Sequence, residues 1–523
     1  MKNIILFIII LLTYMHPLLA QKIPEYLWGK NIGGVDVAMD NAGNLFTVGV
    51  FSDTITQNNQ TYISRGGSDI ILTKTENNGV IIWQKRLGGG NSDFAGRIRC
   101  DEGDNVYVSG RFYSWTIIDS DTFYSNNTSL FVTKFSPSGN VFWTRTFDNL
   151  GDNSLNNIAV DNHENVYIGM PVYIQPADTL TVGLQKFVSR GNNDILIIKL
   201  NSAGNITWAK QEGGLNRDGI VGIATDKYGS IYTTGYFSDS AYFGNTLIPD
   251  ASTANIFLAK YDSSGILQFI TTPQKGNGTG FDVVADESGY IYQCGQINDT
   301  AIFGNHSLFT SSTASFLTKY DNVGNVIWAK KYPYNIHHHA LRMAMGDSNE
   351  IYVNIVYGIA SLVKYGSDGN IIWSNEYGPQ PEAPSVMGVC ADKAGNVFFT
   401  GTCNKQSNVY GNDTITIGQN PPYANFLAKV GPFPASIAAS GTAKKTVLLY
   451  PNPNSGNFIV RGNSLSRYKN YDVISLTGQS VASGHLRPAG NAAQISTGLL
   501  PEGIYILRLS GESSRASLTF RIE

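Results

Sequence analysis

The fold of this chain is decided by NVYVSGRF, residues 105–112, and by LFVTKFSPSGNVFWTRTF, residues 130–147. In the first segment apolar residues alternate with small or polar ones, which is typical of a half-buried strand. The second segment holds two such runs joined by SPSGN, residues 136–140, and this turn sequence predicts a β-hairpin. Together the two segments predict a series of short antiparallel strands.

The same pattern recurs along the chain about every 60 residues, an interval that is typical of propellers. Its first landmark, an aromatic residue after a turn rich in Asp, Asn and Gly, occurs at Phe46, Tyr107, Tyr167, Tyr232, Tyr292, Tyr352 and Phe398. Its second landmark, a Trp after a Lys-containing strand and a Gly turn, occurs at Trp83, Trp143, Trp208, Trp328 and Trp373, with Phe269 in one copy. Each copy therefore holds four strands, which predicts one blade of a β-propeller.

The two ends of the repeat region predict how the ring of blades is completed. The last copy stops at Asn425–Lys429 without a Trp strand, whereas YLWGK, residues 26–30, carries the unmatched Trp28. We therefore predict an all-β fold, a seven-bladed β-propeller whose N-terminal strand closes the last blade and hides its edge. We interpret the Trp series as packing between blades, since burying one such side chain contributes roughly 2–3 kcal/mol. Trp115 lies outside the series, in a predicted variable loop over residues 112–129, and is expected to be exposed.

Changes in composition divide the chain into four segments. Residues 1–20 contain Lys2, an apolar run and a final Ala20, which predicts a signal peptide that is too short to span a bilayer. Residues 21–430 hold the propeller, and residues 431–445 are a linker rich in Pro, Ala, Ser and Gly. Residues 446–523 are predicted to form a small β-sandwich. Its expected strands cover residues 471–476, 492–496, 503–509 and 517–522. No other segment predicts a transmembrane helix.

Net charge and cysteine content limit the kinds of ligand and partner that we expect for this chain. Lys and Arg number 37 and Asp and Glu number 40, a net charge of −3, so the chain lacks the basic footprint of nucleic-acid binding. The four cysteines are too far apart in sequence for a zinc motif. We expect buried free thiols, with a Cys390–Cys403 bridge as the alternative. We also expect a monomer.

Two family resemblances agree with these features. The repeat region resembles bacterial β-propeller repeats built from D-x-x-GN-x-Y-x-x-G and F-x-x-K…G-x-x-x-W elements, which implies the fold and an extracytoplasmic location but no activity. The C-terminal segment resembles the sorting domain of type IX secretion substrates of the Bacteroidetes. Its matching elements are Tyr450-Pro451-Asn452-Pro453, then SLTGQ with Gly478, and LPEGIY with Gly503 and Tyr505. This resemblance implies the type IX machinery as a partner, removal of the domain, and a secreted or outer-membrane surface location.

Three groups of residues are candidate binding or modification sites. His337-His338-His339 either ligates a metal or forms a polar loop. The Asp/Asn turns follow either local turn chemistry or calcium binding; we predict no cofactor and keep calcium as the alternative. Asp-Thr and Asp-Ser steps resemble the short O-glycosylation sequon of exported Bacteroidetes proteins, or else simply belong to the repeat. The candidate acceptors are Thr54, Thr179, Ser240, Thr300 and Thr414.

The sequence contains no catalytic motif that we recognise, which leaves three interpretations of function. The first is a binding or scaffold module for a glycan or protein ligand, without enzymatic activity. The second is a polysaccharide lyase or glycosidase that uses carboxylates at the mouth of the channel. The third is a structural component of adhesion.

Overall fold

The computed structural model describes residues 26–148, 157–174, 179–249, 254–332, 339–346, 349–356, 359–379, 385–403, 407–410, 413–416, 424–431, 447–450, 457–462, 465–475, 479–488, 492–498, 500–501, 503–511 and 515–522. The predicted signal peptide and residues 432–446 lie outside these ranges. The chain divides into two compact units, Met1–Val430 and Gly431–Glu523. None of the described segments forms a helix with the length and hydropathy needed to span a bilayer. The fold is all-β, as predicted.

The described strands of the first unit form seven sheets of at least four antiparallel strands. The N-terminal strand is β1 (Tyr26–Lys30). Sheets 1 and 2 contain β2 (Asp36–Met39), β3 (Leu45–Gln57), β4 (Gln60–Thr75) and β5 (Ile81–Leu87), then β6 (Phe94–Cys100), β7 (Val106–Ile118), β8 (Asp121–Phe135) and β9 (Val141–Asp148). Sheet 3 contains β10 (Asn157–Val160), β11 (Val166–Val172), β14 (Asp194–Leu200) and β15 (Ile206–Gly214), with the hairpin β12 (Thr179–Val182) and β13 (Gln185–Val188) between its second and third strands.

The next four sheets repeat this order. Sheet 4 contains β16 (Gly219–Thr225), β17 (Ile231–Phe237), β20 (Asn255–Tyr261) and β21 (Leu267–Thr271). The hairpin β18 (Ala241–Phe243) and β19 (Thr246–Ile248) lies between β17 and β20 in the chain but pairs with β15, so that it extends sheet 3. Sheet 5 contains β22 (Gly278–Ala285), β23 (Ile291–Ile297), β26 (Ala314–Tyr320) and β27 (Val326–Lys331), with the hairpin β24 (Ala301–Phe303) and β25 (His306–Leu308). Sheet 6 contains β28 (His339–Met345), β29 (Ile351–Val356), β30 (Ile359–Tyr365) and β31 (Ile371–Pro379). Sheet 7 contains β32 (Ser385–Ala391), β33 (Val397–Cys403), β36 (Ala424–Val430) and β1, with the hairpin β34 (Ser407–Tyr410) and β35 (Asp413–Thr416).

The arrangement of the sheets is propeller-like. Their first strands contact one another in the order β2, β6, β10, β16, β22, β28 and β32, and β32 in turn contacts β2. The fourth strand of sheet 7 is β1, which pairs with β36 so that Trp28 lies opposite Lys429. In sheet 2 the same pair of positions is Trp143 opposite Lys134. The strand from the N-terminus therefore occupies the position that a Trp strand occupies in the other sheets.

Each landmark of the repeat has a defined partner, as sheet 2 shows. The Tyr107 hydroxyl donates to Asp101 Oδ2 at 2.9 Å, and the Tyr107 and Trp143 rings pack with centroids 6.1 Å apart. Lys134 Nζ lies 5.2 Å from the centroid of the Tyr107 ring, a cation–π distance, and 3.7 Å from Asp101 Oδ2. The Asp turn, the Tyr strand, the Lys strand and the Trp strand are thus joined in one network.

The Trp side chains join each sheet to the next, which confirms their interpretation as packing residues. Trp83 Nε1 of sheet 1 donates to Pro137 O, 3.2 Å away, in the turn of sheet 2. Gly139 of that turn has φ = 87°, and a Cβ there would lie 3.3 Å from Trp83 Cε2. Glycine is therefore needed both for the backbone conformation and for the close approach of the indole.

The prediction of a variable loop over residues 112–129 was wrong. β7 and β8 continue through it as a long hairpin, in which Trp115 pairs with Tyr124. Trp115 is half-buried, because its indole packs closely against Gly90. A Cβ added to Gly90 would lie only 2.8 Å from Trp115 Nε1. The pairing of β7 with β8 shifts register between Tyr113 and Trp115 and then continues. The two strands therefore extend beyond the part of the repeat that carries the landmark residues.

The second unit consists of two sheets and a 3₁₀ turn, Leu465–Arg467. The first sheet contains β37 (Val447–Tyr450), β38 (Asn457–Gly462) and β41 (Ala492–Ser496), and the second contains β39 (Asn470–Ser475), β40 (Ser480–His485), β42 (Gly503–Ser510) and β43 (Arg515–Ile522). Its core includes Phe458 and Val460 of the first sheet and Val473 and Leu507 of the second. The four predicted strands are present, and the sequence analysis missed β37, β38 and β40.

Candidate functional site

The first strands of all seven described sheets line one cavity of about 390 Å³. Each of these strands ends at a tight turn, and the residue four positions before the turn marks an equivalent place on every strand. These belt positions are Asp36, Arg97, Asn157, Gly222, Asp282, Arg342 and Gly388. The repeat landmarks are similar from sheet to sheet, whereas the belt positions differ, so the cavity is chemically asymmetric.

The first charged cluster joins sheets 1, 2 and 3. Asp36 Oδ2 accepts from Arg99 Nη1 at 2.9 Å and from the backbone N–H of Ile98 at 3.2 Å. Arg97 Nη1 lies 4.0 Å from the same oxygen, and Arg97 Nε donates to Asn157 Oδ1 at 2.9 Å. Burial lowers the pKa of Arg97, although Asp36 opposes that shift. A buried guanidinium is tolerated because its charge and its donors are both satisfied.

The second charged cluster joins sheets 5 and 6 in the same manner. Asp282 Oδ2 accepts from the backbone N–H of Met343 at 2.9 Å, as Asp36 accepts from Ile98. Burial raises the pKa of Asp282, while the hydrogen bond from Met343 and the charges of Arg97 and Arg99 lower it. Arg342 Nη1 lies 3.5 Å from Phe281 O. The two clusters together carry three guanidinium groups against two carboxylates.

Asp36, Arg99, Asp282 and Arg342 line the charged end of the cavity, and the buried Arg97 lies beside Asp36. The opposite, sulfur end is lined by Met39, Cys100, Met345 and Cys390, which lie nearer the turns. Cys100, Cys294 and Cys390 are free, as expected, and the alternative Cys390–Cys403 bridge was wrong. The cavity therefore offers two different chemistries along its length.

The charged end faces the connections between second and third strands. First and second strands are antiparallel, with Asp36 opposite Val48 and Gly278 opposite Ile297, so a second strand ends where the first begins. A concave region of about 650 Å³ lies among these connections, lined by Arg190, Leu215, Ser240, Tyr242, Asn245, Leu247 and glycines. Leu215 is 80% exposed and Tyr242 46%. Such a region combines apolar side chains with a few polar groups, as ligand sites commonly do.

The candidate glycosylation acceptors belong to the same connections. Thr54 and Thr179 are exposed, and Ser240 and Thr300 are partly exposed. The backbone of Thr414 lies in β35, and its side chain is outside the described residues. Their modification remains a prediction.

The Asp turns show the hydrogen bonding of turn chemistry. Asp101 Oδ1 accepts from the backbone N–H groups of Gly103 and Asn105, and its Oδ2 accepts from Asn105 Nδ2. Within the described ranges no three His, Cys, Asp or Glu side chains form a group that could hold a metal ion. His337 and His338 lie outside the described residues, and His339 begins β28. Calcium binding remains untested.

Two buried pairs of carboxylates lie between neighbouring sheets. Asp93 Oδ2 accepts from Gly89 N at 2.9 Å, and Asp218 Oδ2 accepts from Gly214 N at 2.6 Å. Burial raises the pKa of Asp93 to about 7, and the nearby Asp69 carboxylate adds to the shift. Burial likewise raises the pKa of Asp218 to about 7, with Asp194 in the role of Asp69. The sequence analysis missed both pairs, although G-G-x-N-x-D recurs at residues 88–93 and 213–218.

The sorting-domain residues are only partly described. Tyr505 is buried and its hydroxyl donates to Pro501 O at 2.8 Å. The backbones of Tyr450 and Gly503 lie in β37 and β42. Pro451, Asn452, Pro453 and Gly478 lie outside the described residues. Tyr505 thus has a structural role in the core of this unit.

Comparison with known proteins agrees with the division of the chain. The family described as the secretion system C-terminal sorting domain matches residues 448–523. An uncharacterized WD repeat-containing protein of Acanthamoeba polyphaga mimivirus is 25% identical over 224 residues, which span 36% of this chain and 16% of that protein. The sorting domain marks proteins that the type IX secretion system exports to the cell surface or beyond, so this chain is exported by that machinery.

Three solved structures that are similar to this chain match it at low sequence identity. A fungal alcohol oxidase in complex with copper has a TM-score of 0.42 and 12% identity, covering 96% of this chain and 100% of that chain. Raptor of Chaetomium thermophilum has a TM-score of 0.42 and 7% identity, covering 78% and 29%. A protein of unknown function from Dyadobacter fermentans has a TM-score of 0.37 and 9% identity, covering 65% and 95%. None of the three assigns a function to this chain.

Proposed function

We propose that the protein is a secreted or surface-displayed binding module of a member of the Bacteroidetes, made with a cleavable leader and exported with the aid of its sorting domain. Its first unit is a seven-bladed propeller closed by the N-terminal strand. The circular order of contacts among the first strands, from β2 through β32 and back to β2, supports seven blades. The pairing of β1 with β36 supports closure.

The ligand is an acidic glycan bound at the charged end of the cavity. The observation that carries this proposal is the asymmetry of the charged end, where the belt positions Arg97 and Arg342, together with Arg99, provide three guanidinium groups against the carboxylates of Asp36 and Asp282. A belt that served packing alone would repeat the same residue on each sheet, as the Tyr and Trp landmarks do. The Arg99 side chain is 34% exposed, whereas Asp36 is 5% exposed, so the guanidinium can accept a further anionic partner beside Asp36. A guanidinium binds a carboxylate strongly through paired hydrogen bonds.

The enzymatic alternative is a lyase or glycosidase that uses Asp36 or Asp282 for proton transfer. Both carboxylates accept a backbone N–H from the next sheet, at 3.2 Å from Ile98 and 2.9 Å from Met343. These bonds engage one oxygen of each carboxylate in joining neighbouring sheets, which favours a role in binding over one in proton transfer. The structural-adhesion alternative does not explain an asymmetric charged end.

The test is calorimetric titration of the full chain with polygalacturonate or alginate, with dextran as the neutral comparison. We expect binding of the acidic polymers that weakens with added salt. Arg99→Gln and Arg342→Gln should each weaken it roughly 10–100-fold, because each removes a charge-assisted hydrogen bond. Lys227→Gln, which removes one positive charge in an exposed turn at the opposite end, is the matched control. Equal binding of dextran, or no effect of either arginine variant, would refute the proposal. Release of reducing or unsaturated ends would favour the enzymatic alternative.

A further inference from the structure

Sulfur side chains are concentrated at one end of the cavity. Nine Met and Cys residues follow the predicted leader, and five of them line this single cavity. They are Met39, Cys100, Met343, Met345 and Cys390. These residues come from sheets 1, 2, 6 and 7, which are consecutive in the circular order of contacts. The concentration is therefore a property of one arc of the cavity wall.

The two thiols of this arc line the cavity from strands on either side of β2. Cys100 is on β6 and Cys390 on β32, and both strands contact the intervening β2. Both cysteines are partly exposed where they line the cavity.

The carboxylates beside the thiols are already paired with cationic side chains. Lys74 Nζ lies 3.2 Å from Asp40 Oδ2, and Lys134 Nζ lies 3.7 Å from Asp101 Oδ2. A metal ion at this end would therefore take its ligands from the sulfur atoms.

We propose that the sulfur end of the cavity binds one soft monovalent metal ion, Cu⁺ or Ag⁺, through Cys100 and Cys390, with the thioethers of Met39 and Met345 completing the site. Thiolate and thioether ligands select such ions over hard divalent ones. On binding, two S–H bonds break, two metal–sulfur bonds form, and two protons pass to solvent, while the metal keeps its oxidation state.

The test is titration of the full chain, purified reduced and without oxygen, with Cu⁺ in competition with bathocuproine disulfonate. We expect one Cu⁺ per chain. Cys100→Ser and Cys390→Ser should each abolish stoichiometric binding, and Met39→Leu with Met345→Leu should weaken it. Cys294→Ser is the matched control, because Cys294 is a buried free thiol that does not line the cavity.

A second measurement uses the unmodified chain, so that it tests the proposal even if the variants fail to fold. In the unmodified chain, Ag⁺ should protect Cys100 and Cys390 from maleimide, as read by mass spectrometry, and leave the labelling of Cys294 unchanged. Failure of the unmodified chain to compete for Cu⁺ would overturn the proposal, as would unchanged binding by the double Cys variant. A Cys100–Cys390 disulfide in the protein before reduction would also overturn it.

Discussion

The carboxylate pair at the junction of sheets 1 and 2 should make the stability of the first unit depend on pH. Asp93 is 1% exposed, and burial raises its pKa from 3.8 to about 7. The folded protein therefore binds more protons than the unfolded chain between pH 4 and 7. Stability from this group is present below the unfolded pKa and is lost as the pH rises through about 7. One pKa unit corresponds to about 1.4 kcal/mol, so ionisation of Asp93 costs up to about 4 kcal/mol.

The perturbation is Asp93→Asn, which removes the titration and keeps an oxygen to accept from Gly89 N. The groups that face Asp93 are Asp69, Arg65, the Gly89 N–H and Thr116. We expect the variant to be more stable than the unmodified chain at pH 8, by about 2–4 kcal/mol, and to gain little at pH 4. Urea unfolding followed by tryptophan fluorescence at both pH values measures the difference. Asp121→Asn, at an exposed hairpin position, is the control. An identical pH dependence in the Asp93 variant and the unmodified chain would refute the reasoning.

Three further changes test the packing and the ligand surface. Gly139→Ala should destabilise the first unit by about 1–3 kcal/mol in thermal unfolding, and Gly43→Ala should destabilise it less. Both glycines have positive φ, but only a Cβ at position 139 would meet Trp83. Equal effects of the two changes would contradict the Trp83 contact. Tyr107→Phe should cost about 1–2 kcal/mol by removing the hydrogen bond to Asp101, whereas Tyr124→Phe, at a side chain that is 75% exposed, should cost almost nothing; a neutral Tyr107 variant would count against the network. Tyr242→Ala should weaken glycan binding roughly tenfold without changing the melting temperature, because an aromatic face supplies stacking contacts; Tyr228→Ala, 72% exposed at the opposite end, should not change it, and equal losses in the two would refute a role for Tyr242.

The scaffold could be predicted because every repeat carries the same sequence pattern. The Tyr, Lys and Trp landmarks make the same contacts in several sheets, as in the 6.1 Å ring pairs of Tyr107 with Trp143 and of Phe398 with Trp28. Because the same local pattern occurs in several copies, one irregular copy does not change the predicted fold. The long hairpin of β7 and β8 was missed because its outer part follows no landmark.

The charged end of the cavity was not predicted, for a different physical reason. Asp36 and Arg342 are distant in sequence and come together only because each lies four residues before a turn. Aligning the repeats on their turns would have exposed these positions as the ones that vary in charge. Which carboxylate meets which guanidinium, and how deeply each is buried, depends on the circular order of sheets and not on local pattern.

The pairing of β1 with β36 has a consequence for the timing of assembly. Residues that meet there are almost the whole first unit apart, as in the pairs Trp28 with Lys429 and Lys30 with Leu427. The N-terminal strand is synthesised first and must wait for the last three strands of sheet 7, and contacts of such separation form late because the connecting chain must first be ordered. A nascent chain that lacks residues 424–430 would leave β1 without its partner and sheet 7 with an open edge. Sheet 7 can therefore be completed only after the whole first unit has been synthesised, just before synthesis of the sorting domain.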